Sequence, residues 1–263
     1  MADQPAAGLD SGPAANPGAG HHRLSHGTAT IAFHQSPGSL PGVIFLGGFQ
    51  SDMTGTKALA LETWAAARGR TMTRFDYQGH GASSGDFTDG TIGKWANDAL
   101  AVLDQVTRGP QVLVGSSMGG WIMLLVALAR PERVAGLVGI APAPDFTEDL
   151  IWDRLEPADR ATLVETGRVL LPSEYSEQPY PITWSLIEEA RSHLLLRGSI
   201  GWRGPVRLIH GMNDPDVPWE TSLRLAERLE SNDVRVTLVK DGDHRLARAQ
   251  DIELICRAVG ELV

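Results

Sequence analysis

The most constraining stretch of the chain is five residues long. Gly115-Ser116-Ser117-Met118-Gly119 stands between a short apolar run, Val112-Leu113-Val114, and a longer one, residues 121–128. A short apolar run closed by glycine reads as a buried strand, and an apolar run of helical length as a buried helix. Gly-x-Ser-x-Gly between the two is the pattern of a nucleophile elbow, a turn sharp enough to lift its central serine clear of the sheet. The spelling has a steric reason. Ser117 must take a strained backbone conformation; Gly115 and Gly119 remove side chains that would collide there, and Gly120 lets the helix press on the strand. The same five residues also suit an ordinary small-residue turn, so the surrounding chain has to supply the context.

Alternation of strand-like and helix-like segments supplies it. Residues 29–33 and 43–46 read as strands joined by a Ser-Pro-Gly-Ser turn, a hairpin pattern. Residues 57–68 read as a helix with Leu59, Ala60, Trp64 and Ala67 on one face. A strand at 70–75 ends in a polar, Gly-rich loop from Asp76 to Gly85. Ile92, Trp95, Ala99, Val102, Leu103 and Val106 recur at spacings of three and four, which predicts a helix over 91–106. Beyond the elbow come strands at 134–140, 206–209 and 234–239, with helices at 219–229 and 246–263. Strands that alternate with helices pair in parallel, so the expected fold class is α/β, a mostly parallel, doubly wound sheet.

The alternation lapses between about residues 142 and 201. Pro157, Pro172, Pro179 and Pro181 punctuate this segment, and Trp152, Tyr175, Tyr180, Trp184 and several leucines populate it. It is too long for a plain loop and reads as a helical insertion. Its apolar residues either stabilise the domain or form a lid over an apolar acyl pocket. Residues 1–25 read as a disordered tail that begins rich in Ala, Gly and Pro. That leaves 26–263 as one domain, and His21, His22 and His26, at its start, have nothing rigid to hold them around a metal. The tail has no apolar block of the signal-peptide kind.

A serine hydroxyl becomes a useful nucleophile when a base takes its proton and a carboxylate orients that base. Both partners stand after the last two strands. The strand at 206–209 leads into His210-Gly211-Met212-Asn213-Asp214-Pro215-Asp216-Val217-Pro218, and that at 234–239 into Lys240-Asp241-Gly242-Asp243-His244. Sites of open parallel sheets lie beyond the carboxyl ends of the strands, so Ser117, an Asp and His244 converge on one edge, in the order Ser, Asp, His. Asp214 is the preferred acid; Asp216 reads as a turn residue, and Asp243 adjoins His244 in sequence, where neighbouring side chains diverge. His80 is the rival base, and its Gly-rich turn points to a structural hydrogen bond. Attack on an ester carbonyl also creates an oxyanion, which two backbone N–H groups can stabilise. Met118 offers one, and the loop after 43–46 offers the other at Phe49, where Gly47 and Gly48 let the backbone approach.

The totals exclude several other functions. A net charge of -9 over 263 residues argues against nucleic acid and against a polybasic membrane anchor. No apolar stretch reaches the roughly 20 residues of a membrane span. The lone Cys256 cannot form an internal disulfide and suits a reducing compartment.

With these residues placed, the chain after its tail resembles an α/β-hydrolase with a helical lid insertion. The general signatures are Gly115 to Gly119, Gly79-His80-Gly81-x-Ser83 and His210-Gly211-x-x-Asp214-x-x-Val217-Pro218. Gly48-Phe49-x-Ser51-x-Met53-x-Gly55-x-Lys57-Ala58, Arg74-Phe75-Asp76-Tyr77, Gly115 to Trp121, Gly211-Met212-Asn213-Asp214 and Asp243-His244-Arg245 are more specific. They resemble the family of α/β-hydrolase domain-containing protein 10. The resemblance implies palmitoyl-protein thioesterase activity and esterase activity on acyl glucuronides, including that of mycophenolic acid, and it makes Ser117, Asp214 and His244 the triad. Animal members are mitochondrial; the tail here lacks the basic character of a transit peptide, so a cytoplasmic, bacterial relative is expected. The expected activity is hydrolysis of a small-molecule or lipid-acylated ester or thioester through an acyl-enzyme, without cofactor or metal. C–C bond hydrolysis and proline-directed peptide cleavage are alternatives on the same scaffold. A binding protein on a catalytically dead scaffold is a further one.

Overall fold

The computed structural model describes residues 21–172 and 179–263. In chain order these form β1 (His22–His26), β2 (Ala29–Ser36), β3 (Ser39–Leu46), α1 (Thr56–Ala67), β4 (Arg70–Phe75), α2 (Ile92–Ala101), β5 (Gln111–Ser116), α3 (Met118–Ala129) and β6 (Val134–Ile140). There follow α4 (Pro157–Thr166), β7 (Arg168–Leu171), β8 (Tyr180–Thr183), α5 (Trp184–Ala190), β9 (Val206–Gly211), α6 (Glu220–Arg228), β10 (Val234–Val239) and α7 (Ala249–Gly260).

Eight strands make one sheet in the order β1-β2-β4-β3-β5-β6-β9-β10. From β4 to β10 every pairing is parallel; β1 and β2 run antiparallel at one edge. Successive side chains of a strand face opposite ways, so the central strands feed two cores. Ile44, Leu46 and Leu113 join α2 and α3 residues such as Trp95 and Trp121 on one face. Val43, Phe45, Val112 and Val114 join Ala58, Leu61 and Ala65 of α1 and Ile255 and Val259 of α7 on the other. A sheet covered on both faces matches the near-continuous apolar spelling of β5 and β6.

Several expectations are corrected at the sheet edge and on the helices. Residues 29–33 and 43–46 are strands but not a hairpin, because β4 lies between β2 and β3. A turn signal shows that the chain bends, not which strands then pair. The link runs hard against the start of β4: a Cβ on Gly38 would lie 2.2 Å from the Arg70 carbonyl carbon. The hairpin at this edge is β1 with β2, in register from His22 opposite Phe33 to His26 opposite Ala29. Residues 22–26 therefore form a paired strand rather than part of a disordered tail over 1–25. Residues 1–20 lie outside the described residues. On α1 the buried stripe is Ala58, Leu61 and Ala65 rather than the face of Leu59, Ala60, Trp64 and Ala67. That helix is Ala- and Leu-rich on all sides, so apolar spacing does not single out one stripe. The small Ala58 and Ala65 let its backbone approach the sheet.

The helix predicted over 91–106 is α2 plus a π turn at Val102–Val106. The segment 142–201 stands outside the sheet and is not purely helical. It holds a π turn at Thr147–Ile151, the helices α4 and α5, and an antiparallel hairpin of β7 and β8. Leu155, Leu163, Val169, Ile182 and Ile187 give it a small core of its own, against which Phe49 and Trp184 pack. Tyr175 lies outside the described residues.

Candidate functional site

The elbow forms where β5 meets α3. Ser117 has φ 54° and ψ -120°, a region that a non-glycine residue occupies only when its surroundings impose it. They do so through hydrogen bonds on both sides of the residue. Its N–H donates to the Ile140 carbonyl at 2.9 Å, and its carbonyl accepts from Gly120 at 2.8 Å and Ala143 at 3.0 Å. The glycines are sterically required: a Cβ on Gly119 would lie 2.1 Å from the Leu46 carbonyl oxygen, and one on Gly115 2.3 Å from that of Gly119. Gly120 faces Pro142 rather than the strand, since its Cβ would lie 2.6 Å from the Pro142 Cβ.

The loops after β9 and β10 meet the elbow. A Cβ on Gly211 would fall 2.3 Å from the Gly242 carbonyl oxygen, so only glycine allows these two strand ends to come so close. Across that contact His244 Nδ1 lies 2.7 Å from Asp214 Oδ2, and its Nε2 lies 3.1 Å from Ser117 Oγ. The Asp214 side chain is fully buried and the His244 side chain 15% exposed. Asp214 Oδ1 accepts the amides of Asp216 and Val217, each at 2.9 Å. Burial alone pushes the Asp214 carboxyl up. The hydrogen bonds from His210 and His244, the charge of His244 and the Val217 amide outweigh it and hold the acid well below the usual carboxylate range.

The neighbouring acids and the rival histidine have other partners. Asp216 is a turn residue whose amide serves Asp214. Asp243 caps its own turn by accepting the Leu246 amide at 2.9 Å. His80 contacts Gln50 N and the Gln78 carbonyl instead of Ser117. Two other residues at the site received no role from the sequence. His210, fully buried, lies with Nε2 3.2 Å from Asp214 Oδ2 and 3.0 Å from the Val217 carbonyl, and with Nδ1 2.7 Å from Ser222 Oγ. The His-Gly pair four residues ahead of Asp214 was the available signal. Lys57, on α1, donates from Nζ to the carbonyl of Arg245 at 2.5 Å and so braces the loop of His244. Burial, with repulsion from Arg245, lowers its ammonium to about 8, against the pull of Asp243 and Asp214.

The two residues expected to supply oxyanion donors are Met118, next to Ser117 in the chain, and Phe49. Met118 opens α3, and the first-turn N–H groups of a helix have no intrahelical acceptor. Phe49 follows Gly48, whose ideal Cβ would lie 3.4 Å from the Ser117 Cβ. Among the described residues, no hydrogen bond within the protein engages the Phe49 amide. Its ring packs edge-on to Phe87 at 4.8 Å and to Tyr180 of β8 at 6.1 Å between centroids. The insertion thus rests on the residue beside the elbow. Asp214, Asp216 and His244 also place ligand atoms within 4.8 Å of one another, a set that could take a cation. Any cation there would compete for Asp214 oxygens that already accept His244 and two amides.

Comparison with known proteins agrees with this architecture. The model of the Alpha/beta hydrolase family matches residues 41–257. Palmitoyl-protein thioesterase ABHD10, mitochondrial, of Mus musculus is 44% identical over 234 residues, which cover 89% of this chain and 78% of that protein. The solved structure of mouse alpha/beta hydrolase domain-containing protein 10 matches with a TM-score of 0.87 at 42% identity, over 93% of this chain and 98% of that one. A structure from Agrobacterium vitis S4 matches with a TM-score of 0.88 at 45% identity, over 92% and 97%. With the sheet, the elbow and the family match in agreement over most of its length, the chain belongs to the alpha/beta hydrolase family and is a relative of ABHD10.

Proposed function

We propose that this chain is a serine hydrolase that cleaves carboxylic esters or thioesters through an acyl-enzyme. The observation that carries the reading is the unbroken series of contacts from Ser117 Oγ through both nitrogens of His244 to Asp214. Ser117 attacks the acyl carbon while its proton passes to His244 Nε2. The amides of Phe49 and Met118 receive the oxyanion. As the tetrahedral adduct collapses, the C–S or C–O bond breaks, and the thiolate or alkoxide leaves with the proton from His244. Water then gives its proton to the same nitrogen and attacks the acyl-Ser117 ester; the acyl–Oγ bond breaks, His244 returns the proton to Ser117 Oγ, and the acid is released. Throughout, Asp214 accepts the Nδ1–H, which keeps Nε2 facing Ser117 and steadies the imidazolium. No step in this scheme calls for a metal or an organic cofactor.

The substrate class follows from the relatives and from the insertion. ABHD10 bears the name palmitoyl-protein thioesterase, and a long-chain acyl thioester is the corresponding proposal here, with acyl glucuronides as the ester counterpart. The relative's name favours this reading over C–C bond hydrolysis and proline-directed peptide cleavage. The aromatic contact between Phe49 and Tyr180 supports the segment 142–201 as a lid over the acyl chain. Among the described residues no helix is long and apolar enough to cross a membrane. The curated relative is named as mitochondrial, so the cytoplasmic expectation is a proposal for fractionation to settle.

A substrate panel tests the reading. Acyl thioesters and p-nitrophenyl esters are expected to turn over, and matched amides are not. Ser117→Ala should reduce turnover at least about 10³-fold if the three side chains act as a unit. Equal rates for wild type and Ser117→Ala would refute it.

A further inference from the structure

The loop that presents the Phe49 amide is clamped on its backbone as well as on its ring. Two peptide planes flank Phe49. The first is set by Gly48, whose carbonyl accepts both the N–H of Ser51 at 3.2 Å and its hydroxyl at 2.8 Å. In a trans peptide the N–H points opposite to the carbonyl, so this turn aims the Phe49 N–H away from Ser51. The second plane ends in the N–H of Gln50, which donates to His80 Nε2 at 3.3 Å. Gln50 has φ 55°, a left-handed conformation that its surroundings must impose.

His80 can serve as that acceptor in only one form. Its Nδ1 lies 3.2 Å from the Gln78 carbonyl oxygen, and a carbonyl only accepts. The proton therefore sits on Nδ1, and Nε2 offers its lone pair to Gln50. Burial lowers the basicity of the imidazole, opposed by the Gln78 carbonyl. The ring is 4% exposed and meets Tyr77, Phe87 and Trp95 edge-on at 5.6, 5.2 and 5.2 Å. The nearby carboxylates are occupied elsewhere. Asp76 accepts the amides of Met53 at 2.6 Å and Ala82 at 2.8 Å, and Asp98 accepts the amide and side chain of Gln78. Among the described residues no carboxylate forms an ion pair with His80. A proton on Nε2 would set one N–H against another and release Gln50.

We propose that His80 is a positioning residue for the oxyanion loop: its neutral imidazole, by accepting the Gln50 amide, fixes the turn that aims the Phe49 N–H at the developing oxyanion. The inference rests on the serine-hydrolase reading and deepens it. His80 touches no substrate, and its effect falls on the transition state rather than on ground-state binding.

Steady-state hydrolysis of p-nitrophenyl butyrate by wild type, His80→Leu and His80→Gln tests this, with inhibition by an alkyl trifluoromethyl ketone measured alongside. Misaiming one donor should lower kcat of His80→Leu roughly 10- to 100-fold, with KM within about twofold. Affinity for the ketone, whose hemiketal oxygen needs the same donors, should fall by a like factor. His80→Gln, whose side-chain oxygen can accept the Gln50 amide, should recover most of the loss, which a purely structural role would not predict. A folded His80→Leu with wild-type kcat and ketone affinity overturns the proposal. If that variant does not fold, long-range 1H–15N spectra of the wild-type histidines decide: a proton on Nδ1 of His80 is expected, and one on Nε2 overturns it. A wild type without any hydrolysis would refute the proposed function instead, and the tautomer would still test the clamp.

Discussion

Asp214→Asn is the substitution whose consequence the geometry specifies most closely. Oδ1 of Asp214 accepts two backbone amides, so the asparagine oxygen is drawn to that position. The NH2 then replaces Oδ2 and faces His244 Nδ1, 2.7 Å away in the wild type. Two donors cannot bond, so His244 must carry its proton on Nε2, where it points at Ser117 and cannot act as a base. His210 keeps an acceptor in the Val217 carbonyl at 3.0 Å, so the fold should survive. A wrong tautomer with intact geometry reduces kcat about 10⁴-fold, or about 5.4 kcal/mol at 1.36 kcal/mol per factor of ten. The assay is thioester turnover by protein of matched Tm. The substitution also has a stability signature. The folded carboxyl lies below its unfolded value of 3.8, so the unfolded chain binds the proton first as the pH falls. Asp214 therefore stabilises the fold above that pH and loses its contribution as the pH drops towards the folded value; Asp214→Asn should lack this acid-side component in denaturant melts. A turnover within tenfold of wild type would refute the tautomer argument.

Three further outcomes follow from individual contacts. Lys57→Met removes the brace on the Arg245 carbonyl and should lower kcat. Because burial depresses the Lys57 ammonium to about 8, the unfolded chain holds the extra proton from there up to 10.5, and wild-type stability should gain a rising component across that window. Melts of Lys57→Met over the same range should lack that component. Asp145→Ala strands the amides of Leu195 and Leu196, which the buried carboxylate accepts at 2.7 and 2.8 Å, and leaves Arg197 paired with Asp149 alone. Unfolding by urea should show a loss of about 2–4 kcal/mol, and an unchanged midpoint would contradict it. Trimming Trp152 and Trp184, whose rings meet at 5.4 Å in the insertion, should alter acyl-chain-length preference; identical profiles from short to long chains would count against a lid.

What could be read in advance was whatever depends on local spelling. The elbow, the parallel strands and the convergence of Ser117, Asp214 and His244 all follow from apolar runs that end in short polar loops, and the coordinates place those loops together. The preference for Asp214 rests on its spacing after the His-Gly pair, and Asp243 is set aside because adjacent side chains diverge; Asp214 is the acid that lies 2.7 Å from His244. The misses are matters of tertiary choice. Nothing local says that β4 inserts between β2 and β3, that His22 to His26 pairs as an edge strand, or which stripe of an Ala-rich α1 faces the sheet. The hairpin of β7 and β8 was hidden because short strands punctuated by proline resemble loops. Lys57 acts on a carbonyl 188 positions away, and His210 acts beneath Asp214, out of solvent. Such partners become visible only once the sheet has brought distant segments together.

The central claim is that Ser117 is the one serine whose hydroxyl is activated, by His244 backed by Asp214. Intact-mass spectrometry of the whole chain after reaction with a fluorophosphonate probe, followed by peptide mapping, tests it most directly. The account predicts a single adduct on the peptide containing Ser117 and its absence from His244→Ala on the same timescale. An adduct on another residue, or equal labelling of the His244→Ala variant, would contradict it.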